Sequence, residues 1–484
     1  MKLQALIEKL KVKKIIQLDP NKEVIDLIYN SKKAKKDTIF FAMVGTRVDG
    51  HKFIKDVETA GCDIIVLSDA SYIAGNSTYI LVEDTREALA YLSNIFFKEP
   101  SKNMTVVGIT GTKGKTTIAN YIKYIMDDND KPCGIIGTNG IFYLDKEIST
   151  PNTTPESYEI QKALRQMLDS GVKNVVMEVS SLGLKCNRVS HLDFDIGIFT
   201  NLSPDHIGEN EHESFEDYML SKAKLFELAK KSIINIDDEY ANVMQERTKN
   251  CKTYGLSNGA DYTAINIVYP NSLDDMKTYF DIKDESYSVN SFGSFGVYNA
   301  LCTVACLKEL GYPYEKIKKS LNMAYVKGRL QVLDVLEGRK VIIDYAHNEV
   351  SLENLLSNIK TMNPKRIITI FGSIGTRAKH RRQELAEVSS KYSDLIIVTS
   401  DNPDIEDPLD IIKQILSFIP EDKKNSVFSF VDRDIAIKKA IELSKEGDVI
   451  VIAGKGHEEY QLINGERVHF SDYETVLKYA KNVD

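Results

Sequence analysis

No CxxC pair occurs among the six cysteines (Cys62, Cys133, Cys186, Cys251, Cys302 and Cys306). Their scatter gives neither a zinc-ligand spacing nor a disulfide framework, so most are expected to be small core residues. No window approaches the ~18 consecutive apolar residues of a membrane-crossing helix. The N-terminal MKLQALIEKLKVKK is basic but has no unbroken apolar stretch of signal-peptide length, and the chain is expected to be cytoplasmic. Basic residues are not in excess either. The formal net charge of -8 disfavours sequence-independent nucleic-acid binding, while leaving room for a local basic pocket around an anionic ligand. The absence of an internal repeat and of low-complexity tracts sets aside solenoids and propellers.

What is present is ordinary globular material. Hydrophobic residues make up 43% of the 484 and charged residues 27%, which argues against disorder, a coiled coil or a fibrous protein. At roughly 100–200 residues per domain, this length suggests about three domains. Residues 38–44 (TIFFAMV) and 64–67 (IIVL) read as short buried strands around a helical stretch near 53–60, a small α/β unit ending near residue 100. KEPSKN then reads as a linker. A second unit opens with the strand TVVGIT (105–110), a glycine-rich turn and a helix with Ile118, Tyr121, Ile122, Ile125 and Met126 at helical spacing. It continues through VVMEV (175–179) and IGIFT (196–200) and closes with a helix-rich stretch near 297–325. From about 330 the pattern resets to VIIDY (341–345), IITIFG (367–372), LIIVTS (395–400) and VIVIAG (448–453), each strand but the last followed by a helix. Such alternation implies a parallel sheet, whose ligands sit beyond the carboxyl ends of the strands. The polar clusters DYAHN, GSIGTR, SDNPD and GKGHE all fall there. The expected fold class is α/β in three domains: a small N-terminal α/β domain (1–100), a central P-loop ATPase-like domain with a mainly parallel sheet (101–330) and a C-terminal Rossmann-like domain (331–484).

The strongest local signal is Gly111-Thr112-Lys113-Gly114-Lys115-Thr116-Thr117 between a strand and an amphipathic helix. Its glycines let backbone N–H groups approach phosphate oxygens, Lys115 can reach the terminal phosphates, and Thr116 would hold Mg²⁺. Ile109 stands where the strict GxxxxGK[ST] form has its first glycine. Glu178 ends an apolar strand and is a metal-ligand candidate. His206, after Asp205, is an unusual second one, because Mg²⁺ prefers oxygen. Lys222 shares an apolar helix face with Phe215, Tyr218, Met219, Leu225 and Phe226. A lysine there either snorkels or has a lowered pKa and a reactive or binding role.

With these residues in view, the sequence resembles the Mur ligases, and most closely the UDP-N-acetylmuramoyl-tripeptide synthetases that add the third residue of the peptidoglycan stem peptide. The resemblance covers nearly the whole chain. It runs in family order through TGTKGKTT, NTTP (152–155), EVSSLGL (178–184), TNLSPDH (200–206), the Lys222 helix, VYNAL (297–301), KGRL (327–330), DYAH (344–347), DNPDIEDP (401–408) and GKGHE (454–458). It implies an ATP-dependent, ADP-forming ligase that phosphorylates a free carboxylate of a UDP-sugar peptide and lets an amino acid's amine displace the phosphate from the acyl phosphate, a reaction catalysed mostly by positioning and charge stabilisation. The cofactors implied are ATP, two Mg²⁺ and a CO2-derived carbamate on Lys222. The partners implied are UDP-N-acetylmuramoyl dipeptide and a free amino acid, with no nucleic acid, no membrane insertion and a monomeric enzyme. The three domains would bind UDP-sugar, ATP and amino acid in that order. By the same resemblance Lys115, Glu178, His206 and Lys222 are catalytic. Thr116, Glu178, His206 and carbamylated Lys222 hold metal. Residues 111–117, Asn299, Arg329, Asp344 and His347 contact ATP.

Ser31, Thr46 and Arg47 fall where the family's first domain holds uridine diphosphate, although Asn30-Ser31-Lys32 replaces the usual Asp-Ser-Arg. Thr153, Thr154, Ser180 and Arg188 match positions that hold the muramoyl peptide. Cys186 stands where a glutamine often appears, and Leu182 where a histidine does. Arg377, Asp401, Asn402, Asp404, Glu406, Gly454 and Glu458 form the expected amino-acid site. Enzymes using meso-diaminopimelate carry DNPR, whose arginine pairs with the distal carboxylate. Asp404 occupies that position here and would repel it, which favours an amine-ended side chain such as lysine or ornithine, with Asp404 or Glu406 pairing its ammonium. The GKGHE segment keeps the form seen in diaminopimelate enzymes. The rival readings are another ATP-driven amide ligase on this fold with an acceptor outside the cell wall, such as a folylpolyglutamate or cyanophycin synthetase, and a non-catalytic relative acting as a scaffold. The N-terminal unit speaks against folylpolyglutamate activity, and the retained charged set speaks against a scaffold.

Overall fold

The computed structural model describes the whole chain except residues 46, 47, 205, 206, 209, 210, 325, 377, 378 and 482–484. Its residues group into two compact units, 1–263 with 298–320 and 264–297 with 321–484. Among the described residues no helix is long and apolar enough to cross a membrane.

The first unit begins with a five-stranded sheet ordered Lys14–Ile16, Thr78–Leu81, Ile64–Leu67, Thr38–Phe41, Asp26–Ile28, parallel except at its Lys14–Ile16 edge. Alternation of side chains across a strand explains why its central strands are apolar throughout. Ile39, Phe41, Ile64 and Val66 pack toward the helices Leu3–Ile7 and Thr85–Phe96, while Phe40, Ile65 and Leu67 pack toward Ile54–Thr59. The expected linker KEPSKN is instead an ordered 3₁₀ turn, Pro100–Asn103, with Pro100 and Ser101 buried.

In the central sheet the strand Thr105–Thr110 lies between Asn174–Glu178 and Phe194–Phe199, all parallel. Ala229–Asn235 and Cys251–Gly255 extend one side in parallel. Cys133–Gly137 continues the other in parallel, followed by the antiparallel Gly140–Tyr143 and Lys146–Ile148. Register pairs Glu178 with Ile109 and Phe199 with Thr110, so three strand ends are level. Gly111, Glu178 and Thr200 therefore leave the sheet at the same edge.

The second unit contains the antiparallel strands Thr278–Ile282 and Glu285–Val289, and a six-stranded sheet ordered Gln331–Leu336, Arg339–Asp344, Asp448–Ala453, Arg366–Phe371, Leu395–Thr399, Val427–Phe430. Only its first pair is antiparallel. One face buries Ile342, Val451, Ile367 and Val398 with Leu352, Leu356, Leu385 and Ile412. The other buries Ile343, Ile368, Ile397 and Ile452 with Ile437, Ile441 and Val476. Both faces are thus covered by helices, and the carboxyl ends carry the polar loops.

Candidate functional site

The loop 111–117 meets the helix Lys115–Asp128 with glycines where they are required. Gly111 has φ 146° and Gly114 φ 89°, values that L side chains avoid. A methyl group at Gly111 would lie 1.9 Å from Thr200 Oγ1, and one at Gly114 would lie 2.6 Å from Asn299 Oδ1. The loop is thus packed between the strand end at Thr200 and the helix Gly293–Glu309 that carries Asn299. Its backbone is further pinned from the next loop. Lys113 N donates to Asn201 Oδ1 (2.9 Å), Thr112 N to Asn201 O (2.8 Å), and Thr200 Oγ1 to Lys113 O (2.7 Å). Thr117 lies in the first turn of a helix whose N-cap is a glycine with no side-chain cap, the arrangement that leaves N–H groups aimed at an anion.

Lys115 Nζ donates to Gly111 O (2.8 Å) and Thr112 O (3.1 Å) of its own loop. Glu178, only 1% exposed, accepts from Thr116 Oγ1 (2.9 Å), Thr138 Oγ1 (3.2 Å) and Thr138 N (3.1 Å). A hydroxyl and a carboxylate oxygen at this distance form an all-oxygen pair suited to Mg²⁺, which takes few protein ligands and completes its shell with water and phosphate. Among the described residues no group of three or more His, Cys, Asp or Glu is placed to hold a metal ion. His206 lies outside the described residues.

Lys222 is 2% exposed. Its Nζ donates to Gly111 O (3.0 Å) and sits 4.4 Å from the centre of the Tyr218 ring, one helical turn earlier. The Tyr218 hydroxyl in turn meets Thr112 Oγ1 at 3.1 Å, so the helix Phe215–Leu228 touches the phosphate loop at two points. On the far side of Tyr218, the buried His212 ring is held by Asp217 Oδ2 at 3.0 Å. Although burial opposes its charge, hydrogen bonds from Lys185 and His212 hold Asp217 at about 2.

Thr153, Thr154, Ser180 and Arg188 gather around the same strand end. Thr153 Oγ1 contacts Thr138 Oγ1 (3.1 Å), and Thr154 Oγ1 donates to Glu178 O (2.9 Å) and accepts from Ser180 N (2.9 Å). Arg188 Nη1 donates to Thr154 O at 3.0 Å. Sequence reasoning missed Glu156, which accepts from Arg86 Nη1 (3.0 Å to each oxygen) and forms an ion pair with Arg188, its Oε1 lying 3.0 Å from Nε. Its adjacency to NTTP was the available signal. Ser31 opens a 3₁₀ turn beside Tyr29, whose hydroxyl donates to Glu159 (2.7 Å). Thr46 and Arg47 lie outside the described residues.

The second unit assembles the remaining set. The Arg329 guanidinium lies 4.5 Å from the Tyr345 ring centre, and Asp344 Oδ2 accepts from Leu330 N (2.6 Å). Burial pushes the Asp344 carboxyl up, with Arg329 opposing, while burial pulls His347 down as its Nδ1 meets Tyr345 O at 2.7 Å. Lys455 Nζ donates to Asn402 Oδ1 (3.1 Å) and Glu458 Oε2 (3.0 Å) and lies 3.6 Å from Asp401 Oδ1. Asn402 Nδ2 completes the ring to Glu458 Oε2 (2.9 Å). Gly454 at φ 113° lets the chain pass Asp401, since a methyl group there would sit 3.1 Å from its Oδ2.

Asp404 and Glu406 point their charge elsewhere. Asp404 Oδ1 accepts from Gly465 N (2.9 Å), fastening the Asn464-Gly465 turn of the hairpin Tyr460–Ile463 and Glu466–His469. Glu406 is gripped by Arg382 through both oxygens (2.9 Å each) and accepts from Thr376 N (2.6 Å), which hold it at about 2. Arg377 lies outside the described residues.

Three family models match the chain: a Mur ligase family catalytic domain over residues 26–97, a Mur ligase middle domain over 109–307 and a Mur ligase glutamate ligase domain over 328–456. Diaminopimelate ligase 2 of Clostridium acetobutylicum is 40% identical over 98% of this chain and 99% of its own length. The chain belongs to the Mur ligase family. As a Mur ligase it has the mixed α/β three-domain fold with parallel-rich sheets and is an ATP-dependent, ADP-forming amide ligase of cell-wall peptidoglycan synthesis. A second relative, from Aquifex aeolicus, is 39% identical over 94% of this chain and 93% of its own. Both are UDP-N-acetylmuramoyl-L-alanyl-D-glutamate–2,6-diaminopimelate ligases by name. A solved structure under that same name aligns with TM-score 0.72 at 26% identity, covering 100% of this chain and 99% of its own. Mycobacterium tuberculosis folylpolyglutamate synthase shares the fold at TM-score 0.60 and 15% identity, covering 76% of this chain and 92% of its own.

These relatives overturn the expectation of a lysine- or ornithine-preferring Mur ligase, and with it the rival of an acceptor outside the cell wall. A preference for an ammonium would require Asp404 to face the incoming side chain. Its carboxylate instead fastens a hairpin turn, and Glu406, the other acid expected to meet an ammonium, is already held by Arg382.

Proposed function

We propose that this Mur ligase joins 2,6-diaminopimelate to UDP-N-acetylmuramoyl-L-alanyl-D-glutamate, through an acyl phosphate formed with ATP, in the cytoplasm. The substrate pair is supported by relatives 38–40% identical over nearly the whole chain that carry this name. The chemistry is supported above all by one arrangement: Lys115 and Lys222 converge on Gly111 O at the loop whose Thr116 meets Glu178.

Residues 1–100 bind the UDP-sugar, 101–330 the ATP and 331–484 the amino acid. Lys115 exchanges its two loop carbonyls for the nucleotide's terminal phosphate oxygens, and the backbone N–H groups of residues 111–117 cradle the remainder. Asn299, which packs on Gly114, and Arg329, Asp344 and His347 contact the nucleotide. Thr116, Glu178 and His206 would hold Mg²⁺, which when bound offsets the charge developing on the transferred phosphoryl group. Lys222, buried against Tyr218, would hold a second Mg²⁺ as a carbamate, the adduct of its neutral amine with CO2 after loss of a proton. Thr153, Thr154, Ser180 and Arg188 orient the dipeptide, Arg188 being ion-paired with Glu156. Asp401, Asn402, Gly454 and Glu458 receive the amino acid. The acceptor carboxylate attacks the γ-phosphorus and ADP leaves. The diaminopimelate amine then adds to the acyl carbon, loses a proton, and phosphate departs as the amide forms.

The test is phosphate release with ATP, Mg²⁺ and the UDP-dipeptide, with and without 2,6-diaminopimelate. Turnover that requires diaminopimelate is expected. Silence with it, while another amino acid is turned over, overturns the substrate assignment.

A further inference from the structure

The C-terminal sheet contains a buried cation that the reaction above does not use. Arg433 is the first residue of the helix Arg433–Leu443, and Asp472 is the first of the helix Asp472–Ala480. Arg433 is 1% exposed and Asp472 0%. They form a two-pronged pair, Nε to Oδ1 at 2.7 Å and Nη2 to Oδ2 at 3.0 Å. Replacing such a buried pair with packed apolar groups is often neutral or stabilising, so its presence here asks for a reason beyond stability.

The guanidinium's other contacts supply one. Nη2 also donates to Ala453 O (3.0 Å), and Nη1 reaches Ser400 O (3.4 Å). Ala453 ends the strand Asp448–Ala453, and Ser400 directly follows the strand Leu395–Thr399. These strands are not neighbours in the sheet: Arg366–Phe371 lies between them, so no ladder hydrogen bond fixes one end against the other. Arg433 spans that gap. The residues immediately beyond its two carbonyls are Asp401-Asn402 and Gly454-Lys455, the two halves of the Lys455, Asn402 and Glu458 ring. Asp401 is buried among them, and its Oδ1 accepts no hydrogen bond. Burial opposes the charge on Arg433, while Asp472 foremost, and then Asp401 and Glu458, sustain it, which places this cation within electrostatic reach of both acids.

We propose that Arg433 is a positioning residue of the amino-acid subsite, gripping the Ser400 and Ala453 carbonyls together so that the two loops stand at the separation at which the diamino acid is bound. This rests on the assignment of those loops to the amino acid in the preceding section. A planar fork can serve Asp472 and two carbonyls at once, whereas a lysine ammonium at the same place cannot span them.

The experiment compares wild type with Arg433→Lys and with the double variant Arg433→Met/Asp472→Leu. The double variant removes the tether without leaving an uncompensated buried charge and so keeps the protein folded. KM values for 2,6-diaminopimelate, ATP and the UDP-dipeptide are measured alongside the thermal midpoint. The expected result is a rise of about tenfold or more in KM for the amino acid in both variants, with the other two KM values within about twofold and the double variant's midpoint near wild type. An unchanged amino-acid KM in the folded double variant overturns the proposal. So does a parallel rise in all three KM values, which marks general loosening. If wild type turns over only with a different amino acid, the proposed substrate fails. The same comparison run with that amino acid still decides the role of Arg433.

Discussion

At the end of the central sheet, Lys115 and Lys222 both rest on the carbonyl oxygen of Gly111. At the end of the C-terminal sheet, Lys455 is enclosed by Asn402, Glu458 and Asp401, and Arg433 by Asp472 and two carbonyls. Both are carboxyl ends of neighbouring parallel strands, so strand direction does not distinguish them. The partners do. A hydrogen bond to a neutral carbonyl yields to an incoming phosphate more readily than the charge-assisted bonds to Glu458 and Asp472 do. In the proposed reaction the first end exchanges these bonds for phosphate, while the second presents a fixed outline.

The largest expected effect tests the exchange. Lys115→Ala removes the cation that turns to the phosphates and should lower kcat about 10²–10³-fold with the protein still folded, measured by phosphate release. Retained turnover would take the loop out of the chemistry. Lys222→Ala should lose activity on a comparable scale but recover part of it when short carboxylic acids are added in place of the proposed carbamate. Full activity without them would remove that role.

The fixed end is tested by stability. Asp472→Ala leaves Arg433 buried without its carboxylate and should destabilise the C-terminal unit by about 3–5 kcal/mol, read as a lower denaturant midpoint. Acid gives a smaller effect. Burial, with Arg329, Lys327 and Lys455 nearby, pulls His457 from 6.5 to about 4. Between those values the unfolded chain takes up a proton that the folded ring refuses. The stability contributed by the neutral ring is therefore present above 6.5 and lost as pH falls toward 4, on the order of 1–3 kcal/mol. His457→Gln should flatten the pH dependence of the denaturation midpoint across that window. The smallest effect belongs to Asp404→Asn. Asn tolerates the left-handed backbone at this position (φ 54°) and can still accept from Gly465, so the kcat/KM ratio of diaminopimelate to lysine should stay within about twofold. A large shift would restore Asp404 to the specificity pocket.

What was legible in the sequence was what is local in the chain. The strand TVVGIT with its loop, and the helix face carrying Tyr218 and Lys222, are written within a few residues of one another and are found where periodicity placed them. The set of strand ends in the C-terminal sheet was legible for the same reason. Contacts between distant segments were not. Arg433 and Asp472 are 39 residues apart, and nothing in either neighbourhood announces the other. Asp404 read as a specificity residue because its motif position was visible, while the turn it fastens, 61 residues later at Gly465, was not. The strands Thr278–Ile282 and Glu285–Val289, which were not anticipated, pack with later residues of the chain.

One feature of the first unit bears on how an acceptor is measured. Tyr29 bonds Glu159 at 2.7 Å and Tyr158 bonds Asp26 at 2.6 Å, pinning the N-terminal sheet to the helix Ser157–Asp169 that follows Thr153 and Thr154. The turn at Ser31 and the strand end at Glu178 therefore stand at a set distance before any ligand arrives. If one grips the uridine diphosphate and the other the carboxylate to be activated, the pair works as a caliper. In that proposed role, a peptide one residue too short or too long would be rejected by reach rather than by any single contact.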